Sequence, residues 1–220
     1  MRIPTLAAPL LGLAALCSAV PALAQEKGDV LVRVRAIMVS PNESSGGVQP
    51  SFPSARIGVT DSYAPELDFT YMISDHIGTE LILATTKHQL QGRAALSGVD
   101  HVASTWVLPP TLTVQYHFLP HAKIRPYVGV GANYTIFYSS KASSALKAAI
   151  GDTDVHLKNS FGYALQAGLD FDITKRVFAN LDVKYIDIDT KARLTTGALV
   201  NRVNTSIDPL VFGIGLGVRL

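Results

Sequence analysis

Hydrophobic residues recur at every second position in eight segments of roughly ten residues, the length of a tilted membrane strand. The segments run over residues 30–39, 66–74, 77–86, 111–118, 127–138, 160–172, 177–188 and 210–220. In the second, Leu67, Phe69, Tyr71 and Ile73 alternate with Glu66, Asp68, Thr70 and Met72. In the sixth, Phe161, Tyr163, Leu165, Leu169 and Phe171 oppose Gln166, Asp170 and Asp172. In the last, Leu210, Phe212, Ile214, Leu216, Val218 and Leu220 oppose Gly213, Gly215 and Gly217. Successive side chains of a strand point to opposite faces, so each segment has one apolar and one polar face.

The connections alternate in length. Those after the second, fourth and sixth segments are tight: Ser74-Asp75-His76, the Pro120 turn over 119–124, and Thr174-Lys175. Those after the first, third, fifth and seventh are long and rich in Gly, Ser, Pro, Thr and Ala. Residues 142–150 read as one short helix within the third long connection. Tyr and Phe gather near the segment ends, as interfacial girdles do. Short periplasmic turns and long extracellular loops belong to an outer-membrane barrel, and they place both termini in the periplasm.

A soluble sandwich or lipocalin-like barrel would collect its apolar face inside. Here Arg, Lys, Asp, Gln and Asn share the opposite face, strand after strand. Charges on the inside of a soluble core cost several kcal/mol each unless paired. The pattern therefore predicts an all-β, eight-stranded antiparallel transmembrane β-barrel. Its apolar stripe meets outer-membrane lipids and its polar face lines a lumen.

The N-terminus stands apart. Arg2 precedes a Leu/Ala run over 6–20, Pro21 breaks it, and Ala22-Leu23-Ala24 forms a small-x-small cleavage site. Residues 1–24 read as a secretory signal peptide and 25–220 as the barrel domain. The single cysteine, Cys17, lies in the signal core, so the mature chain offers no disulfide, thiol nucleophile or thiolate metal site. The formal net charge is +2, with no basic run, which speaks against nucleic acid as a partner. The chain is 48% hydrophobic. After the signal, no segment is long and apolar enough to span as a helix, which leaves alternating strands to carry that apolar content.

Motifs for chemistry are sparse. Gly213-Ile214-Gly215-Leu216-Gly217 has no helix after it, so it reads as room for opposing lumen side chains, not a phosphate loop. The six histidines show no metal-ligand spacing, and no cofactor is expected. His156 and Ser160 fall near a rim where a lipid-modifying enzyme would need a nucleophile and base, but no acidic partner follows at a compelling spacing. No catalytic residue is assigned.

The lumen face is more informative when sorted by height. Arg33, Arg35, Glu80, Asp170, Asp182, Lys184 and Arg219 gather toward the periplasm with Gln115 and His117. An eight-stranded barrel is just wide enough for side chains to fill, so these charges are expected to pair into a plug. Toward the outside the lining changes to Ile37, Val39, Ile82, Val107, Phe137, Ile186, Ile188 and Val211. Such a lining suits a small hydrophobic ligand, or it is packing beneath the loops. Pro109-Pro110 and Pro209 stand at strand starts. They are either weak places in the wall, because proline removes a ladder donor, or ordinary strand-edge prolines.

Residues 66–78, 125–134, Lys184-Tyr185-Ile186-Asp187-Ile188-Asp189-Thr190 and Ile207-Asp208-Pro209 resemble the OmpW family of small outer-membrane barrels. The resemblance covers essentially the whole mature chain. It implies a narrow hydrophobic channel associated with uptake of small hydrophobic molecules, with a possible sideways exit through the wall. It carries over no catalytic residues. Leu220 stands where a terminal Phe is commonest, in the strand expected to engage the outer-membrane assembly machinery.

Three functions remain from the sequence. The leading one is passive passage of small hydrophobic molecules. A non-transporting barrel for envelope integrity or surface interaction is the second, and a lipid-modifying enzyme the weakest.

Overall fold

The computed structural model describes residues 25–220, so the signal-peptide reading of residues 1–24 lies outside the described residues. Eight antiparallel strands form a closed ring: Val30–Ser40, Ser62–Met72, Ile77–Ala84, Thr111–His117, Ile124–Ala142, Ser160–Asp172, Val177–Ile186 and Leu210–Arg219. They are called barrel strands one to eight. Each pairs with its sequence neighbours in the ring, and strand one closes on strand eight from Leu31↔Arg219 to Ser40↔Leu210. Closure leaves no unpaired sheet edge in the bilayer, where an unsatisfied backbone group would cost several kcal/mol. Among the described residues no helix is long and apolar enough to cross a membrane, so the strands do the crossing.

The alternation sorts as the sequence predicts. Leu165, Val130, Leu112, Ile214 and Leu216 are exposed on the outside. Arg33, Asp68, Glu80, Asp170 and Lys184 are buried inside. Outward Tyr63, Tyr134, Phe161, Tyr163 and Tyr185 ring the upper end, and Tyr71, Tyr116, Phe118 and Phe171 ring the lower end. Two of the lower turns are built alike. Ile73 N–H donates to Ile77 O and Ile173 N–H to Val177 O, while Ser74 Oγ and Thr174 Oγ1 accept from the N–H groups of Ile77 and Val177.

The inward glycines sit where backbones or rings approach closely. A Cβ at Gly168 would lie 2.2 Å from Tyr127 Cζ, and one at Gly217 would lie 2.3 Å from Phe178 Cζ. Both are direct cross-strand partners. The rings lie across the barrel floor over glycines that leave them space.

The upper connections differ from expectation. The sequence reads them as loops, yet most of their length is strand. Thr86–Ala94 and Ala103–Leu108 continue barrel strands three and four upward, with Ala55–Val59 pairing alongside. Thr153–Leu157, Asp189–Thr196 and Leu199–Ser206 form a second raised sheet, joined by the short strand Ser44–Ser45. Their alternation is present but shallow, because Thr and Ala replace larger apolar residues on the inner face. The helix is confined to Ser144–Ile150, capped by Ser143 Oγ accepting from Leu146 N–H.

Candidate functional site: an apolar chamber above an ionic floor

The lower lumen is filled by one ion-pair network. Arg33 lies 3.0 Å from Glu80 and 2.8 Å from Asp170, both fully buried. Arg35 reaches Glu66 at 2.9 Å, Asp68 at 2.6 Å and Asp182 at 3.3 Å. Lys184 bridges Glu66 and Asp182 at 2.7 Å each. Neutral groups add hydrogen bonds to Glu80, Asp170 and Asp182. Gln115 Nε2 and Gln166 Nε2 donate to Glu80 Oε2, Tyr127 OH donates to Asp182, and Asn180 Nδ2 donates to Asp170. Charges removed from water persist only when paired with opposite charges, as these are.

Six of the seven residues that the sequence places in a plug therefore meet: Arg33, Arg35, Glu80, Asp170, Asp182 and Lys184. Arg219 lies one layer lower, 3.5 Å from Asp172, which also pairs with Arg125 at 2.5 Å. Glu66, Asp68 and Arg125 complete the network without having been assigned to it from sequence. Glu66 and Asp68 face inward by parity, but which cation they meet depends on ring closure. Arg125 falls between the turn read over 119–124 and the segment read over 127–138.

Above this floor lies a narrow chamber of about 50 Å³. All eight residues of the expected apolar lining border it: Ile37, Val39, Ile82, Val107, Phe137, Ile186, Ile188 and Val211. The raised sheets add Val59, Leu90 and Leu157, and Ile207 follows from just beyond the strand Leu199–Ser206. The same four also border a second apolar space of about 30 Å³ nearer the outside, so the two spaces are stacked. The polar groups of the chamber are mostly turned to partners. His88 Nδ1 lies 2.7 Å from Thr60 O and Nε2 3.0 Å from Thr86 Oγ1, and burial holds this imidazole below its ordinary pKa. Thr111 Oγ1 donates to Pro109 O. Glu66 alone brings a charged side chain to the base of the chamber.

The backbone ladder of the wall is interrupted beside the chamber. Strands three and four pair up to Ile82↔Thr111, and their raised continuations pair again from Thr86↔Val107. The register is the same on both sides, which sets Ala84 opposite Pro109. Across Leu83, Ala84 and Thr85 the backbone ladder lapses against Leu108, Pro109 and Pro110, since neither proline has an N–H to donate, and Thr85 Oγ1 donating to Val107 O at 3.3 Å is the bond that bridges the two strands there. Ala84 and Pro109 both border the chamber. The far side of this segment is sealed, because Pro110 O accepts from Tyr134 N–H and Pro109 O from Asn133 Nδ2. Pro209 differs: its carbonyl accepts from Ile186 N–H at 3.2 Å, and the wall there stays bonded.

His156 and Ser160 do not meet as a reacting pair. His156 is exposed on the outer face of the raised sheet, and Ser160 is buried with its Oγ accepting from Asp189 N–H. Among the described residues no group of three or more His, Cys, Asp or Glu side chains is arranged to hold a metal ion.

Comparison with known proteins agrees with this architecture. Residues 26–220 match the family model described as the OmpW family. Outer membrane protein W of Escherichia coli (strain K12) is 38% identical over 200 residues, covering 90% of this chain and 91% of that protein. The crystal structure of the outer membrane protein OprG from Pseudomonas aeruginosa superimposes with a TM-score of 0.85 at 30% identity, covering 90% of this chain and 99% of that one. The dibenzothiophene metabolism operon protein PahQ of Pseudomonas aeruginosa is 27% identical over 168 residues, 75% of each chain. With a closed eight-stranded barrel, an outer apolar face and these relatives, the chain is an outer-membrane β-barrel protein and belongs to the OmpW family.

Proposed function

We propose that this barrel, exported by a leader at residues 1–24, is a passive route for small hydrophobic molecules. They enter from outside into the apolar chamber and leave sideways into the bilayer. The apolar lining directly above a closed ionic floor is the observation that carries this reading. A hydrophobic solute gains by leaving water for the chamber, but it gains nothing by displacing paired charges beneath it. The interrupted ladder between Ala84 and Pro109 is the exit that avoids the floor. The name of PahQ, which refers to dibenzothiophene metabolism, is in keeping with a hydrophobic solute.

The chamber is small. A dry apolar cavity of about 150 Å³ accepts benzene, whereas this one is about 50 Å³. Passage therefore requires side chains to move, and Phe137 and Leu157 are among the large ones that line it. No catalytic step is part of this reading.

The test is uptake of a hydrophobic dye by cells carrying Ile82→Asp, Phe137→Asp or Ile186→Asp, each checked for folding by heat-modifiable gel mobility. A buried carboxylate without a partner is costly and draws water into the chamber. Uptake should fall in all three folded variants. Wild-type uptake in all three would favour a structural barrel instead.

A further inference from the structure

The outer face of the raised sheet carries more basic than acidic side chains: Lys158, Lys191, Arg193, Arg202 and His156 share it with Asp154 and Asp189. His156 pairs in register with Arg193, and Arg193 with Arg202, so three basic side chains lie in one row across three strands. All three are exposed. Like charges directly opposite on a sheet repel. One level closer to the membrane lie Lys158 and Lys191, whose backbones are joined by a hydrogen bond from Lys158 N–H to Lys191 O. Among the described residues, the ion pairs of the raised region are Arg93–Glu43 and Lys147–Asp152. Neither involves this patch.

Below the arginine row is a surface cleft of about 480 Å³. Lys158 and Lys191 border it together with Ser44, Asn159, Asn204 and Ser206. One carboxylate, Asp189, also borders it, and its Oδ1 accepts from Ser206 Oγ. At the membrane side of the cleft stands Phe161, 76% exposed and part of the upper aromatic girdle. The order from bilayer to solvent is therefore apolar ring, hydroxyl and amide groups with Asp189, two lysines, two arginines, then Asp154.

We propose that this face binds the phosphorylated saccharide headgroup of a glycolipid in the outer leaflet. Each part of such a lipid meets a matching surface. Its acyl chains lie against Phe161 and the barrel wall. Its sugar hydroxyls reach the Ser and Asn side chains of the cleft. Its phosphates meet Lys158, Lys191 and the arginine row, where guanidinium groups give forked, charge-assisted hydrogen bonds. A bound phosphate also removes the repulsion between Arg193 and Arg202. The height of the cleft, immediately above the girdle that marks the interface, makes a membrane lipid the occupant.

The experiment uses the folded barrel in nanodiscs of zwitterionic lipid. Bisphosphorylated lipid A, its phosphate-free form and its deacylated disaccharide are titrated in turn, with bound ligand counted by native mass spectrometry. The phosphorylated lipid should be retained about tenfold or more over the phosphate-free form, as expected for losing even one charge-assisted contact. That preference should vanish in the variant combining Lys158→Gln, Lys191→Gln, Arg193→Gln and Arg202→Gln. Arg193→Gln alone should raise the thermal midpoint in zwitterionic lipid and reduce the further rise that the glycolipid produces, a change of sign that simple surface destabilisation would not give. Equal retention of the phosphorylated and phosphate-free lipids, or unaltered preference in the combined variant, would overturn the proposal. Binding of the deacylated phosphodisaccharide as tight as that of the lipid would also overturn it, by showing a site for soluble sugar phosphates.

Discussion

Arg35→Ala is expected to destabilise the barrel by about 3–5 kcal/mol, the range seen when one partner is removed from a buried ion pair. Arg35 lies within 3.5 Å of four carboxylates, those of Glu66, Asp68, Glu80 and Asp182. In the central layer Arg33, Arg35 and Lys184 face five carboxylates, those of Glu66, Asp68, Glu80, Asp170 and Asp182. Without Arg35, Asp68 has no other cation within ion-pairing distance among the described residues, and the surplus of negative charge grows. The floor should loosen and admit water. Urea titration in bilayers, read by the folded gel band, gives the stability loss. Single-barrel conductance, small in the wild type, should rise when Arg33 and Arg35 are both replaced by Ala. A large, steady wild-type conductance would exclude a plug.

Leu165→Arg is expected to cost about 2–4 kcal/mol, the depth-dependent penalty for a cation on the lipid face near the midplane. Leu165 is 47% exposed, and its cross-strand neighbours Val130 and Tyr185 also face outward. It lies between Phe161 and Phe171, the aromatic ends of the same strand. Gln166, one residue on, is the control. Its Nε2 already donates to Glu80 at 2.8 Å and to Asp182 at 2.9 Å, so a lysine there meets two carboxylates. Gln166→Lys forfeits the acceptor that serves Gln115 and Thr113 but should cost far less than Leu165→Arg. Equal losses at the two positions would refute the register, because a slip of one residue exchanges the faces of a strand.

The barrel and much of its site were legible because both follow from parity. Once a strand such as 160–172 alternates Phe161, Tyr163 and Leu165 with Gln166 and Asp170, its lipid and lumen faces are determined. Sorting lumen residues by height then separates Ile37 from Arg33 without any coordinates. Ring closure was not legible. That Arg35 of strand one reaches Asp182 of strand seven depends on stagger around the barrel, which linear spacing does not encode. The raised sheets were missed for another reason. Thr190, Ala192 and Leu194 do alternate with Lys191 and Arg193, but small inner residues give a weak signal beside Gly- and Ser-rich neighbours. His88, Val59 and Leu157 were lost from the chamber lining with them. The two candidate weak points, Pro109-Pro110 and Pro209, look alike in sequence. They differ in that the strand beside Pro209 stays bonded through Ile186 N–H to Pro209 O, whereas the ladder between strands three and four lapses opposite Pro109 and Pro110.

The sideways route is open to a direct measurement. Cys17 is the only cysteine and precedes the barrel, so paired cysteines can be introduced without competition. Ala84 and Pro109 stand opposite each other across the lapsed ladder, and both border the chamber. In the variant Ala84→Cys/Pro109→Cys, dye transfer into the bilayer of proteoliposomes is followed before and after oxidation, with cross-linking verified by mass spectrometry. The account predicts that the cross-linked barrel loses transfer and that a reductant restores it. Transfer by the cross-linked barrel at the reduced rate would contradict a sideways exit at this interruption.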